Sequence, residues 1–188
     1  MTYSLLEGIL SKWRYGKMAE LIKDKEIILE IGCGEKASFL KSLAKDKSKK
    51  LIGIDPQINN QISEFNNLTL IKENLLDKIN LSDNSVDCAI VAAVLEHLDY
   101  PQEIINEIYR ILKPGGFMCL TAPSPLSKNI LKFLAFLRLL NPKMIAEHKN
   151  YFDKSGLEKI VHQAGFNKTR HRYFQLGCNN FFITWKDF

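Results

Sequence analysis

The residues best suited to chemistry lie in the stretch Ile28–Lys36, which reads ILEIGCGEK. The apolar residues around Glu30 predict a short buried strand, and Gly32 and Gly34 then turn the backbone sharply. Helical spacing of apolar residues resumes after the turn. A strand that ends in small residues and enters a helix brings backbone amides to a ligand at the positive end of the helix dipole. The stretch is therefore typical of a nucleotide-binding loop.

Two acidic residues stand where a plain buried strand would carry none. The segment Leu51–Pro56 (LIGIDP) predicts a second apolar strand that ends in Asp55. This acid lies about 20 residues after the glycine turn, where such folds place a carboxylate for the ribose hydroxyls. Glu30 puts a further charge inside the first strand. Together these residues predict a site for an adenosine-containing cofactor.

Composition and charge describe one globular domain of ordinary size. The 188 residues are 46% hydrophobic and 25% charged, which indicates neither disorder nor a fibre. The net charge of +5 fits an acidic or phosphate-bearing partner without requiring one. The densest run of lysines, at residues 45–50, is interpreted as exposed charge between a helix and a strand.

The cysteines are far apart in the sequence, at Cys33, Cys88, Cys119 and Cys178. They form no CxxC pair and no Cys/His cluster with metal spacing, so no metal site is predicted. Buried thiols in a reducing compartment are the better interpretation. Because the first residues lack a signal-peptide pattern and no apolar stretch is long enough for a bilayer, we expect a cytoplasmic protein.

The elements that position the site alternate between strand and helix. Residues 1–24 predict an N-terminal helix, and residues 25–122 predict a cofactor-binding core. Short connections between alternating elements are typical of a doubly wound, mostly parallel α/β sheet. In the first helix, apolar residues recur at Leu5, Leu6, Ile9, Leu10, Trp13 and Met18. The polar residues near its end either face the cofactor cleft or form a surface stripe, which is the favoured interpretation: Arg14, Tyr15 and Lys17.

The alternation of strand and helix changes at Pro123. Residues 123–152 predict a lid-like insertion, which begins with the apolar helix Ser127–Leu140. Residues 153–188 predict a closing helix and then two strands, Arg172–Gln175 and Asn180–Lys186. The short link between these strands makes them an antiparallel hairpin added to the sheet. The chain from 1 to 188 is therefore expected to form a single Rossmann-like domain.

Four separate stretches resemble the class I S-adenosylmethionine-dependent methyltransferases, specifically the small group with a GCG turn and an LEHL segment (type 11-like). They are Glu30–Gly34, Ile54–Pro56, Ser82–Asp87 with Val94–Leu98, and Leu112–Gly116. The ending, from Tyr151 to Trp185, is similar to the closing helix and hairpin of that family. The order and spacing of the matches carry the resemblance, which covers nearly the whole chain. It implies a seven-stranded sheet with an antiparallel last strand, and S-adenosylmethionine as the cofactor.

The resemblance also implies a role for each residue around the glycine turn. Gly32, Cys33 and Gly34 would let the backbone approach the methionine part of the cofactor. Glu30 would favour the cationic ammonium and sulfonium end. The other implied cofactor positions are Asp55 and Pro56 at the ribose, Asn74 and Leu75 at the adenine, and Ala92 and Ala93 beside the sulfonium.

One residue of the turn departs from the family pattern. Lys36 stands where the family often has a third glycine, and Ala37 follows it. Because a lysine near a cationic sulfonium is unfavourable, the side chain of Lys36 is expected to point to solvent.

Histidines provide the candidates for chemistry on the methyl acceptor. Methyl transfer from a sulfonium mainly needs alignment and exclusion of water, and a general base helps when the acceptor is a hydroxyl. His148 lies in the insertion and is the preferred candidate for that catalytic base. His97 follows the fourth strand, and it and Tyr151 are the candidate substrate-binding residues. A purely structural role for His97 is the alternative.

The apolar helix 127–140 is the feature most informative about the acceptor. One interpretation is a lid packed over the cleft. The other is a surface that meets a lipid-linked or aromatic acceptor, or that lies on a membrane with its basic residues near anionic headgroups.

The expected function is therefore methyl transfer to a small-molecule or lipid-linked acceptor, with O- and C-methylation both open. A nicotinamide-dependent oxidoreductase is an alternative, because a GxGxxA turn followed by an acid also fits that fold, although Glu35 adds charge that a pyrophosphate would avoid. A non-catalytic adenosyl-binding protein is a second alternative. Nucleic-acid methylation is not favoured, since no NPPY-type segment, zinc cluster or continuous basic and aromatic stripe is present.

Overall fold

The computed structural model describes residues 5–59, 64–74 and 78–188. The strands of these residues are β1 (Ile27–Ile31), β2 (Lys50–Ile54), β3 (Leu68–Ile71), β4 (Val86–Ala92), β5 (Leu112–Pro123), β6 (Lys168–Phe174) and β7 (Asn179–Trp185). They form one seven-stranded sheet in the order β3-β2-β1-β4-β5-β7-β6. The five strands from β3 to β5 are mutually parallel, and β7 is antiparallel to both of its neighbours. The predicted fold class, including the hairpin, is confirmed.

Helices cover both faces of this sheet. They are α1 (Leu5–Leu21), α2 (Ser38–Leu43), α3 (Pro101–Ile111), α4 (Ser127–Phe136), α5 (Pro142–Ala146) and α6 (Lys154–Gln163), with a single 3-10 turn at Leu95–His97. Successive residues of β1 point to opposite faces, so Leu29 packs in the core beneath α3 and α6, whereas Ile28 packs with α1 and α2. The sheet is therefore doubly wound, with one apolar layer on each side.

The order of the strands decides where a ligand can bind. The direction in which strands are added reverses between β1 and its neighbours β2 and β4. In open α/β sheets, ligands bind in the crevice beyond the carboxyl ends of the strands at such a point. Ile31 pairs with Ile54 and Val91 there. The glycine turn, Asp55 and the end of β4 therefore share one edge.

The insertion differs from the single long helix predicted for residues 127–140. Helix α4 ends at Phe136, and the chain then passes through Arg138 in the left-handed region, at φ 58°. Pro142 begins α5, since its fixed φ suits the first turn of a helix. The hairpin strands β6 and β7 also differ from the predicted bounds, because β6 begins four residues earlier. None of the described helices is long and apolar enough to cross a membrane.

A third apolar cluster joins the insertion to the N-terminal helix. Its members from α1 are Leu6 and Leu10, and those from the insertion are Leu131, Leu134, Ala135, Leu140 and Ile145. The Asn141 backbone N–H also donates to Oε1 of Glu7 at 2.7 Å. The predicted apolar face of α1 was wrong for Ile9 and Trp13, which are both exposed. The buried positions further along are Met18 and Ile22.

The lysine run at residues 45–50 is not all exposed. Lys49 is buried. Its Nζ donates to carbonyls just beyond α1, those of Ile22 at 3.3 Å, Lys23 at 2.8 Å and Lys25 at 2.9 Å. A cation at the carboxyl end of a helix satisfies free carbonyls and offsets the helix dipole. The prediction of exposed charge was wrong here because the backbone supplies three acceptors.

Candidate functional site

The glycine turn has the backbone that its sequence predicts. Gly32 and Gly34 lie in the left-handed region, at φ 71° and 73°. A side chain on Gly32 would collide with Val94, whereas no atom of the described residues lies within 4 Å of a Cβ placed on Gly34. A glycine at position 34 thus leaves open space at the strand edge, as a ligand in contact with the backbone requires. Lys36 is exposed, as expected.

Asp55 holds the turn in place. Its Oδ2 accepts a hydrogen bond from the Gly34 N–H at 2.8 Å, and its Oδ1 accepts one from the Gln57 N–H at 2.7 Å. The carboxylate is buried. Each carboxylate oxygen can accept a second hydrogen bond, so the site still offers acceptors to a pair of hydroxyl groups. The geometry is compatible with the ribose-binding role, which stays a prediction.

Glu30 is a fully buried acid with an incomplete set of partners. Its Oε1 accepts a hydrogen bond from the Tyr15 hydroxyl at 2.7 Å, while Oε2 has no partner among the described residues. Burial raises the pKa of Glu30 to about 8; the hydrogen bond from Tyr15 opposes this shift, and the nearby Asp55 charge adds a smaller part of it. An unpartnered buried oxygen costs free energy that an arriving cation would recover. The residue therefore fits a ligand that carries a positive charge.

Tyr15 lies at this site, although the sequence reasoning favoured a surface position over the cleft. It was interpreted as part of a surface stripe, but its ring is stacked on Phe39 with centroids 4.3 Å apart, and its hydroxyl contacts Glu30. Burial and the Glu30 charge raise the pKa of Tyr15. Helical spacing did contain the signal, because residues 15, 18 and 22 lie on one face and the last two are buried.

The raised pKa of Glu30 predicts how stability depends on pH. A carboxyl group whose pKa is higher in the folded than in the unfolded chain stabilises the fold at low pH. Its contribution to the free energy of unfolding is lost as the pH rises through the pKa of the folded state. Between about pH 4.5 and 8, the unliganded wild type should lose stability relative to Glu30→Gln, by at most about 1.4 kcal/mol per pH unit. Urea unfolding of both proteins at pH 5.5 and 7.5 measures this. Identical pH dependence in the two proteins would contradict the assignment.

Across the crevice, residues after β4 meet the end of the insertion. The rings of His97 and His148 have centroids 5.0 Å apart, and those of His148 and Tyr151 are 5.8 Å apart. The backbone N–H groups of Lys149 and Asn150 donate to the Glu96 carbonyl, at 2.7 and 3.2 Å. The structure thus brings together the three residues predicted for the acceptor side.

Burial sets the charges on this side of the crevice. It lowers the pKa of His148 to about 4, with a smaller effect of His97, and it also lowers the pKa of His97. Both rings are therefore neutral at pH 7, and His148 is a weak base. Burial raises the pKa of Glu96 to about 7. Glu96 was not singled out from the sequence, although the LEHL segment contained it.

The other predicted cofactor positions are spread along the same strand edge. Cys33 is buried, and its Sγ lies 3.7 Å from the Gly34 carbonyl oxygen. Ala92 is buried at the end of β4, and Ala93 follows it in the left-handed region at φ 58°. Pro56 and Asn74 are exposed, and Leu75 lies outside the described residues. Strained non-glycine backbone such as that of Ala93 is concentrated at functional sites.

Comparison with known proteins identifies the family of this chain. A family model described as a methyltransferase domain matches residues 10–171. A demethylmenaquinone methyltransferase from Staphylococcus saprophyticus is 26% identical in a 205-residue alignment, gaps included, that covers 93% of this chain and 87% of that protein. A ubiquinone/menaquinone biosynthesis C-methyltransferase UbiE from Ruegeria sp. is 28% identical over 120 residues, which cover 55% of this chain and 48% of that protein. The chain thus matches about half the length of this second relative.

Solved structures show the same fold. A SAM-dependent methyltransferase from Archaeoglobus fulgidus matches with a TM-score of 0.71 and 19% identity, over 95% of this chain and 94% of that one. The likeness at this identity establishes the architecture, and the family match over most of the chain establishes the class. The chain belongs to the methyltransferase domain family and is an S-adenosylmethionine-dependent methyltransferase.

Proposed function

We propose that this methyltransferase acts on a small lipid-linked aromatic acceptor that enters from a membrane surface. The exposed apolar surface of the insertion is the observation that carries the proposal. Phe133 is 60% exposed and Phe136 is 82% exposed, and Leu126, Ile130, Leu137 and Leu139 are exposed beside them. Soluble proteins rarely leave such side chains contiguous unless the surface binds something.

Basic residues accompany this apolar surface. Lys128, Lys132 and Arg138 lie on or directly after α4 and are exposed. An interfacial segment with apolar and basic side chains binds anionic membranes through both area and charge. The quinone-pathway names of the two relatives support an acceptor of this chemistry. The proposal therefore retains the sequence hypothesis for 127–140 as a membrane-contact surface of a single domain.

On the cofactor side, the residues predicted from the sequence fit S-adenosylmethionine, which supplies a methyl group activated by a sulfonium. We assign the unpartnered Glu30 oxygen to its cationic end and Asp55 to its ribose. The Gly34 backbone leaves room for close approach, and Tyr15 orients the Glu30 carboxylate. Cys33, Pro56, Asn74, Leu75, Ala92 and Ala93 complete the proposed cofactor contacts.

On the acceptor side, we assign His97, His148 and Tyr151 to holding the acceptor and excluding water. His148 was predicted as the general base, but a neutral imidazole with a pKa of about 4 takes a proton poorly at pH 7. An enol, phenol or quinol needs little help from a base. Alignment is then the main contribution of the chain, and it supplies most of the acceleration in such displacements.

The acceptor class is tested by following the release of S-adenosylhomocysteine from the purified chain. We expect turnover with a short-chain demethylmenaquinol or a simple catechol, and none with transfer RNA. Calorimetric titration with S-adenosylmethionine and with NADH, of which only the first should bind, shows that the chain is competent. Turnover confined to the RNA would overturn the proposed acceptor.

Membrane contact is tested by sedimentation with phosphatidylglycerol vesicles. Replacing Phe133 and Phe136 with serine should reduce the bound fraction at least tenfold, because each ring contributes about 1.5–3 kcal/mol when it leaves water. Tyr100→Ser is the matched control, since Tyr100 is 64% exposed and lies outside the insertion. Equal sedimentation of the double variant and the wild type would exclude contact through α4.

A further inference from the structure

Three ligand-type side chains converge where the insertion meets the end of β4. Glu96, His97 and His148 each present one donor atom, and these atoms all lie within 4.8 Å of one another. Two of the residues are adjacent in sequence, and the third is brought in by the backbone hydrogen bonds from Lys149 and Asn150 to the Glu96 carbonyl. The cluster is thus held by the fold and not by loose side chains on the surface.

Two polar atoms of this cluster lack partners. Oε2 of Glu96 and Nδ1 of His148 are buried, and neither has a hydrogen-bond partner among the described residues. Glu96 is only 2% exposed. Leaving two such atoms unsatisfied costs free energy, and the cost is recovered if both bind a third species. A carboxyl oxygen and the unprotonated nitrogen of a neutral imidazole are both acceptors, and together they favour a cation.

Asn150 holds the backbone on either side of Glu96 and His97. Its side-chain Nδ2 donates to the carbonyl of Leu98 at 2.7 Å and to that of Leu95 at 3.4 Å. Lys149 is paired with Asp99 at 2.6 Å, which directs its charge to another partner.

We propose that Glu96, His97 and His148 form a binding site for a divalent transition-metal ion. Two imidazoles and one carboxylate are the donor set of catalytic zinc sites and of non-haem iron sites, and they leave further positions open. Mg²⁺ is disfavoured because it prefers oxygen ligands. Ligands at about 2.1 Å from such an ion lie roughly 3–3.4 Å apart, so donor atoms that are up to 4.8 Å apart must approach one another by up to about 1.8 Å. Side-chain rotations cover that distance.

The open positions of such an ion would bind an oxygen of the acceptor. His97 and His148 are the residues assigned above to the acceptor side, so the ion would fix the acceptor beside the end of β4. This use of the ion rests on the proposed function. Binding of the ion itself does not, because it requires only the three side chains. A binding measurement without acceptor or cofactor therefore separates the two.

Cobalt provides the direct probe. Titration of the metal-free chain with Co²⁺ should produce a visible absorption band that saturates at one ion per chain and disappears on addition of Zn²⁺. Glu96→Gln and His148→Gln should each weaken Co²⁺ binding at least 100-fold, since each removes one of three ligands. His162→Ala, at an exposed histidine outside the cluster, should leave the titration unchanged.

Failure of the metal site can be told apart from misfolding of a variant and from failure of the proposed acceptor. If Glu96→Gln does not fold by circular dichroism, His148→Gln decides, because His148 is on the insertion and only half-buried. Binding that persists in both variants, or a wild type that shows no saturable band, overturns the site. If the wild type binds Co²⁺ saturably but methylates no quinol, the metal site is supported and only the proposed acceptor is rejected.

Discussion

Asp55→Ala is expected to weaken the binding of S-adenosylmethionine about 100-fold or more. Hydrogen bonds to a charged group contribute about 1.5–3 kcal/mol each, and the proposed ribose contact contains two of them. Every 1.4 kcal/mol is a factor of ten in affinity. The substitution also removes the acceptor of the Gly34 N–H, which Asp55 holds at 2.8 Å. Because the substitution removes both the ribose contact and the support of the glycine turn, we expect it to weaken cofactor binding more than other single changes at this edge.

Calorimetric titration measures the affinity of Asp55→Ala for S-adenosylmethionine. Two further variants show whether a loss of affinity is specific to the side chain of Asp55. Asp55→Asn keeps a side-chain oxygen for the turn and should retain more affinity than the alanine variant. Asp24→Ala removes an exposed aspartate near the start of β1 and should bind like the wild type. A thermal unfolding curve confirms that each variant is folded. Wild-type affinity in Asp55→Ala would reject the ribose assignment.

Glu30→Gln is expected to reduce the affinity for S-adenosylmethionine about 10- to 100-fold. The amide preserves an acceptor for the Tyr15 hydroxyl, so the change removes the charge with little change of shape. The loss should be specific to the cationic end of the ligand. The comparison ligand is 5′-methylthioadenosine, which keeps the adenosine but has neither the sulfonium nor the amino acid, and its affinity should stay within about twofold.

The matched control for this charge is Glu20→Gln, which neutralises an exposed glutamate at the end of α1. It should leave the affinity for both ligands unchanged. If Glu30→Gln weakens both ligands equally, the carboxylate maintains the shape of the pocket and does not recognise a cation. Measurement at pH 8.5 is the appropriate condition, because the pKa of Glu30 is raised to about 8.

Much of the fold follows from local patterns in the chain. The turn after β1 was predictable because few residue types other than glycine readily adopt the left-handed backbone found at Gly32 and Gly34. The strands were predictable because apolar runs bounded by turn residues leave few alternatives in a chain that alternates strand and helix. The sequence resemblance extended this to a seven-stranded sheet with an antiparallel strand, which the structure confirms. It also implied the cofactor, which the comparisons confirm.

The acceptor side required the three-dimensional structure. His97 and His148 are 51 positions apart, and no spacing rule connects residues that meet only when an insertion folds back onto a strand end. Glu96 was hidden within an apolar segment, and nothing local indicates that its Oε2 lacks a partner. Tyr15 was misplaced because a tyrosine near a helix end is compatible with a surface or a cleft. Only the neighbouring strand decides between the two.

The N-terminal helix has a consequence for how specificity can change. One helix, about 25 Å long, touches the cofactor edge through Tyr15 and the insertion through Leu6 and Leu10. An exchange of residues 123–152 for those of a relative would therefore transfer the insertion without Leu6 and Leu10, the α1 residues that it packs against. A chimera made to acquire a new acceptor must carry the first turns of α1 along with the insertion, while Tyr15 stays with the host.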